Sequence, residues 1–180
     1  MIEIVPNWHP IFVHFSVALL MTAVLLHLAS HFVKNENLSR HCALVGRWNL
    51  WLGTGFSVFT VGAGWFAYYS VKHDTPTHLA MTDHRNWAMV TFVLFLSIVT
   101  WEFILQRRGQ GRSWMFTVLL MTGAGLLLST AFRGGELVYR HGLGVMSMPK
   151  AEGEGHNHDH GEGQGHGDMS SQHDSMSPTE

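Results

Sequence analysis

The sequence predicts an all-α membrane protein, an antiparallel bundle of four transmembrane helices followed by a disordered C-terminal tail. Three observations support this fold class. Of the 180 residues, 46% are hydrophobic and only 13% are charged, which is a low charge content for a soluble domain. Four long stretches are nearly free of charge. From Gly153 onward the chain has no aliphatic or aromatic side chain except methionine, so it cannot bury enough surface to fold.

Each of the four apolar stretches is close to the ~20 residues that a helix needs to cross the hydrocarbon core. Unsatisfied backbone groups are costly in lipid, so we expect spanning helices, and the short joints make neighbours antiparallel. A soluble bundle is the alternative, but the stretches are apolar on every face, which leaves no surface to meet water. The predicted spans lie near 11–33, 50–71, 86–106 and 113–132, in a transmembrane domain of residues 1–150 before a tail of residues 151–180.

Basic residues in the joints predict the orientation. Two joints, between spans one and two and between spans three and four, carry bases with Glu36 as their only acid. Cytoplasmic loops are enriched in Lys and Arg, so we expect these joints inside and both termini outside. The bases are Lys34, Arg40, Arg47, Arg107, Arg108 and Arg112.

This topology places most histidines of the transmembrane domain at the outward face of the membrane. The expected group is His9, His14, His73, His78, His84 and His141. Pro10 suits the first turn of a helix, which puts His9 at the helix start and His14 about one turn inside. His84 precedes the third span at a similar depth, so we expect His14 and His84 to face each other across the bundle.

Two facing imidazoles suit either of two kinds of centre. Neutral imidazoles are axial ligands of b-type haem, and they also begin a transition-metal site, for which His9, His14 and His84 are the candidates. The ordinary alternative is that these histidines only donate to carbonyls or to Asp83. Arg133 follows the fourth span, where it could neutralise a haem propionate, hold an anionic substrate or pair with Asp83, and the pairing is favoured.

A chain of two haems across the membrane is not supported. His14 and His27 are 13 residues apart, which puts them about 140° out of alignment on a helix with 3.6 residues per turn. His27 and His31 share a helix face, but no partner is visible for them. At most one haem is therefore expected. The pair Gly134–Gly135 is expected to end the fourth helix.

The tail is rich in metal ligands. Residues 151–180 hold seven acids and no base, whereas residues 1–150 hold all 11 Lys and Arg against six acids. Flexible imidazole-rich tracts bind Cu(II), Ni(II) and Zn(II). Because the ligand is the neutral imidazole, binding should weaken below about pH 6. The candidate ligands are His156, His158, His160, His166 and His173.

Three stretches resemble the bacterial membrane family known as domain of unknown function 2231. They are "HPIFVHFSVALL", "DHRNWAM" and "GGELVYRHGLGV", and the resemblance covers roughly residues 8–146. Ser16 stands where the family often has a proline. The resemblance implies a four-span domain in a bacterial inner membrane and an association with redox proteins, and it implies no established activity or ligand.

Three functions remain open. The first is a membrane module that binds a transition metal through the outward histidines and the tail. The second is a b-type haem electron-transfer subunit of a respiratory or redox complex, and the third is a structural or assembly subunit. No nucleophile–base pair, phosphate loop or H-E-x-x-H motif supports an enzyme. No basic face supports nucleic-acid binding.

Overall fold

The computed structural model describes residues 8–71, 75–109 and 114–143, and the described residues fold into four helices. They are α1 (His9–Phe32), α2 (Glu36–Ser70), α3 (Thr75–Arg107) and α4 (Trp114–Tyr139). All four are long and apolar enough to cross a membrane. The predicted four-helix membrane bundle is therefore confirmed. The predicted tail, with its five histidines, lies outside the described residues.

The helices extend beyond the apolar stretches that predicted them. Helix α2 begins at Glu36 rather than near residue 50, because Asn35 caps it: the Asn35 side chain accepts a hydrogen bond from the Leu38 amide at 3.1 Å. Helix α3 begins at Thr75 rather than near residue 86. The length of an apolar stretch shows which part of the chain can lie in hydrocarbon. A helix can continue beyond that stretch into the polar region when the backbone hydrogen-bonding groups at its end have partners.

The expectation that Gly134–Gly135 ends the fourth helix is wrong. Helix α4 runs through both glycines to Tyr139. The glycine that ends it is Gly142, whose φ of 63° lies in the left-handed region that favours glycine. Its amide donates to the Val138 carbonyl at 3.0 Å, as in a helix C-terminal cap.

The bundle consists of two helical hairpins. Helix α1 packs closely along α2 and α3 packs along α4, whereas the contacts between the two hairpins, α2 with α3 and α1 with α4, are sparser. Helices α1 and α3 therefore lie diagonally across the bundle. The core contains apolar side chains together with buried hydroxyl groups, and many large apolar side chains lie on the outside of the bundle. Its fully buried large side chains include Leu20, Leu50, Phe95, Ile98, Phe116 and Leu120.

Each hairpin is also joined by a pair of hydroxyl groups. Ser16 on α1 and Thr60 on α2 lie 2.8 Å apart, and Thr91 on α3 and Thr130 on α4 lie 2.9 Å apart, oxygen to oxygen. Each of the four hydroxyls also lies within hydrogen-bond distance of a carbonyl of its own helix. Because a hydroxyl has one proton, one member of each pair donates to the other hydroxyl and the other member donates to its own helix. Such bonds stabilise helix pairs in lipid, where no water competes.

Candidate metal centre

Two imidazoles meet across the diagonal of the bundle, near the ends at which α1 and α3 begin. The ring centroids of His9 and His84 lie 6.4 Å apart, and the rings are nearly perpendicular at 80°. Both side chains are half-buried. Pro10 in the first turn of α1 starts the helix at His9, so this imidazole lies at the end of α1, whereas His84 lies nine residues inside α3.

The His9 ring is oriented by α2. Its Nδ1 lies 2.9 Å from the Thr60 carbonyl oxygen, which can only accept, so Nδ1 carries the proton and Nε2 carries the lone pair. The ring also lies against Gly64. A Cβ at that position would lie 2.8 Å from Cε1 and 2.9 Å from Nδ1 of His9, so only glycine leaves room for the ring.

The His84 ring is seated in a similar way on α4. A Cβ at Gly134 would lie 3.1 Å from Cε1 and 3.6 Å from Nδ1 of His84. The backbone of Thr130 lies beside this ring. Thr130 is placed to accept a hydrogen bond from this ring through its backbone, as Thr60 does from His9. The buried Nδ1 atom of His84 does not reach the geometry of a full hydrogen bond, so this contact is weaker than that of His9.

The structure does not bring His14 to His84. His14 is exposed, and its Nδ1 donates to the carbonyl of Pro10 on its own helix at 2.5 Å. His9 occupies the position expected for His14. Five residues separate the two histidines, which turns them about 140° apart around α1. The two side chains therefore point in different directions, and they also differ by about 7.5 Å in depth along α1, at 1.5 Å per residue.

Arg133 forms the predicted ion pair with Asp83. Its Nε donates to Asp83 at 2.7 Å, and its guanidinium lies 4.1 Å from the centroid of the Trp87 ring. It also donates to the carbonyl and the hydroxyl of Ser129, at 3.2 and 2.5 Å. These contacts tie α4 to α3 immediately beside His84 and leave a cation next to the imidazole pair.

The other histidines at this end do not join the pair. His78 lies 3.3 Å from the Tyr68 hydroxyl, and His141 lies 3.5 Å from the Thr77 hydroxyl. His73 lies outside the described residues. Within residues 8–71, 75–109 and 114–143, no group of three or more His, Cys, Asp or Glu side chains could hold a metal ion. The expected outward cluster therefore reduces to two imidazoles in the described part of the chain.

His27 and His31 lie towards the opposite end of the bundle. His27 is buried against Phe116, with its Nδ1 3.2 Å from the Ala23 carbonyl. His31 stacks on Trp114 at 4.7 Å and hydrogen-bonds the Thr117 hydroxyl at 2.8 Å. Each ring is satisfied separately, as expected for interior histidines without a shared ligand.

Comparison with known proteins gives a family but no activity. The model of the family described as "Predicted membrane protein (DUF2231)" matches residues 6–147. No curated protein and no solved structure matches the chain. The matched region contains the four helices, His9, His84 and both glycines that seat them. The chain is an integral membrane protein and belongs to the DUF2231 family.

Proposed function

We propose that this protein is a membrane module that binds one metal centre between His9 and His84, and that the metal is the iron of a b-type haem. The observation that carries the proposal is the 6.4 Å between the two ring centroids. A metal held by two imidazole nitrogens at about 2 Å each puts the ring centres roughly 6 Å apart. The two rings thus have the separation that a shared metal requires.

Haem fits these two ligands better than a bare ion does. Zinc and copper(II) take four or more ligands, and no third protein ligand lies near the pair among the described residues. A porphyrin would supply the other iron ligands itself, so His9 and His84 would be the protein ligands that the haem needs.

The surroundings of the pair support the same ligand. Nδ1 of His9 donates to the Thr60 carbonyl at 2.9 Å, which holds the ring in one orientation against α2. Hydrogen bonds from the other ring nitrogen to the backbone fix the tautomer and orientation of metal-binding histidines in the same way. Arg133 is close by through its bond to Asp83, the neighbour of His84, and would offset the negative charge of a propionate.

The chemistry that haem supplies when bound is one-electron transfer. His9 and His84 would both hold the haem, and a haem held by two histidines would transfer electrons rather than bind oxygen or a substrate. This arrangement favours an electron-transfer subunit working with a redox protein partner over an enzyme. The histidine-rich tail is a second metal-binding element, and its proposed Cu(II), Ni(II) or Zn(II) binding rests on its sequence.

The experiment is spectroscopy of full-length protein purified in detergent from cells supplied with haem. We expect a Soret band with a stoichiometry of one haem per chain. His9→Ala and His84→Ala should abolish it. His14→Ala is the matched control, because it removes an exposed imidazole from the same helix and should leave the band unchanged.

Other outcomes would contradict the haem proposal. A haem-free protein that instead binds one Cu(I), lost in both His9→Ala and His84→Ala, would make the centre a bare metal site. A protein that binds neither would leave the pair with a structural role. Loss of the band in His14→Ala alone would show that the wrong histidine had been assigned.

A further inference from the structure

Helices α2 and α4, the second helix of each hairpin, share a sequence pattern. Residues 50–69, "LWLGTGFSVFTVGAGWFAYY", and residues 120–139, "LMTGAGLLLSTAFRGGELVY", are identical at six of 20 positions, each pair separated by 70 residues. The identical pairs are Leu50 and Leu120, Gly53 and Gly123, Gly55 and Gly125, Thr60 and Thr130, Gly64 and Gly134, and Tyr69 and Tyr139.

Helices α1 and α3, the first helix of each hairpin, align at a spacing of 75 residues with three identical pairs: His9 and His84, Leu19 and Leu94, and Val24 and Val99. His9 corresponds to His84, and Ser16 corresponds to Thr91. The hydroxyl pair of each hairpin joins corresponding atoms, Ser16 to Thr60 at 2.8 Å and Thr91 to Thr130 at 2.9 Å. Residues that match in sequence therefore also match in their contacts.

The glycines show the closest correspondence. A Cβ at Gly53 would meet Leu20 at 2.9 Å, and a Cβ at Gly123 would meet the corresponding Phe95 at 3.0 Å. Gly64 faces His9 and Gly134 faces His84, in each case with Cε1 as the nearest ring atom. Gly55 and Gly125 both have open space where a Cβ would lie.

This correspondence gives the bundle an approximate two-fold axis. Helices α1 and α3 run in the same direction, since one antiparallel helix separates them, and they lie diagonally opposite. Rotation of one hairpin onto the other exchanges α1 with α3 and α2 with α4. The axis therefore runs along the bundle and passes between the rings of His9 and His84.

We infer that the two hairpins are copies of one half-site and that Gly64 and Gly134 are positioning residues, which set the approach of the two imidazoles to a ligand on the axis. The identity of the ligand rests on the proposed function. A ligand on the axis would be related in the same way to His9 and to His84, as the iron of the proposed haem would be.

Alanine at Gly64 and alanine at Gly134 should disturb the neighbouring imidazoles to different extents, because the two added Cβ atoms lie at different distances from the rings. At Gly64 an added methyl would lie 2.8 Å from His9, closer than real Cβ atoms approach, so the ring must move. At Gly134 the nearest ring atom is at 3.1 Å, and a shift of a few tenths of an ångström relieves the contact. Gly64→Ala should therefore disturb the site more than Gly134→Ala.

The test measures haem affinity and the electron paramagnetic resonance spectrum of the ferric full-length protein in Gly64→Ala and Gly134→Ala. The matched controls are Gly55→Ala and Gly125→Ala, which add the same methyl to open space. A third control is Gly46→Ala, whose methyl would lie 2.8 Å from Nδ1 of His27, away from the pair. It separates general loss of stability from displacement of a haem ligand.

We expect Gly64→Ala to weaken haem binding roughly 10- to 100-fold and to alter the resonance spectrum, with a smaller effect in Gly134→Ala. Gly55→Ala and Gly125→Ala should match the parent protein. Gly46→Ala should lower the melting temperature but keep the parent spectrum in the folded fraction. Parent-like affinity and spectrum in Gly64→Ala would overturn the inference, as would equal losses in the Gly55→Ala and Gly125→Ala controls.

A haem-free readout separates this inference from the proposed function. If the parent protein binds no haem, the proposed function fails, but the nitrogen chemical shifts of the two imidazoles still report their packing. Gly64→Ala should then shift His9, and Gly134→Ala should shift His84, while the two open-space controls shift neither ring. Unchanged shifts in Gly64→Ala would refute the positioning role without reference to haem.

Discussion

Arg133 and Asp83 connect α4 to α3 through an ion pair of 2.7 Å, one residue away from His84. The Asp83 side chain is 57% exposed, whereas that of Arg133 is 28% exposed and lies over Trp87. The arginine therefore has contacts that the aspartate lacks. Because the pair lies next to the imidazole pair, it fixes the relative position of the two helices that carry His84 and its glycine.

Replacing Arg133 should destabilise the bundle more than replacing Asp83. Asp83→Asn removes one partly exposed ion pair, with an expected loss below about 1 kcal/mol. Arg133→Gln also removes the contact with Trp87 and the bonds to Ser129, for a loss of about 1–2 kcal/mol in total. Unfolding in detergent measures both.

The control for this comparison is Arg140→Gln. Arg140 pairs with Glu136 at 2.9 Å, but its side chain is 73% exposed, so its removal should change stability very little. Equal losses in Asp83→Asn and Arg133→Gln would show that the ion pair alone accounts for the contribution of Arg133.

The hydroxyl pair of Thr91 and Thr130 should hold hairpin α3–α4 together. Their oxygens lie 2.9 Å apart and both residues are buried. Thr91→Val keeps the shape and removes the bond, so we expect a loss of about 0.6 kcal/mol and at most about 1.7 kcal/mol. Thr100→Val is the control, because Thr100 is exposed and bonds to its own helix. A double-mutant cycle with Thr130→Val showing no coupling would argue against the bond.

The single cysteine tests the orientation. Cys42 lies near the start of α2, in the joint predicted to face the cytoplasm. A membrane-impermeant maleimide added to intact cells should leave Cys42 unlabelled until the membrane is opened. In a Cys42→Ser background, Ser177→Cys should be labelled from outside. The reverse labelling pattern would show that the orientation is opposite to the predicted one. Labelling of both positions from the same side would contradict the predicted topology.

The tail should bind Ni(II) or Cu(II) in a pH-dependent manner. Neutral imidazoles are the ligands, and with an ordinary pKa near 6.5 most are protonated at about pH 5.5. Affinity should therefore be high at about pH 7.5 and should fall as the pH is lowered. Calorimetry on the full chain measures this dependence.

The matched variant changes the five tail histidines to alanine in the full chain and leaves His9 and His84 intact. It should lose this binding while retaining the Soret band of the parent protein. Undiminished Ni(II) affinity in the variant would assign the binding to other groups. The residues changed are His156, His158, His160, His166 and His173.

Several features of the fold could be predicted from the sequence because they depend on local composition. Four apolar stretches predict four membrane helices whatever their packing. The bond between Arg133 and Asp83 was also predictable, since opposite charges at one end of a bundle tend to pair. The repeated spacing of Gly64 and Gly134 is a further signal that was present in the sequence. It identifies equivalent positions, although it does not say what lies against them.

The sequence by itself determined the number of helices, their antiparallel order and the end of the bundle where His9, His14 and His84 lie. Only the tertiary structure decided that His9, and not His14, meets His84. The physical reason is rotational: five residues turn a side chain by about 140° around a helix, and hydrophobic length carries no information about that angle. Which way α1 faces is decided by its close packing on α2, where Gly53 admits Leu20 and Gly64 admits His9.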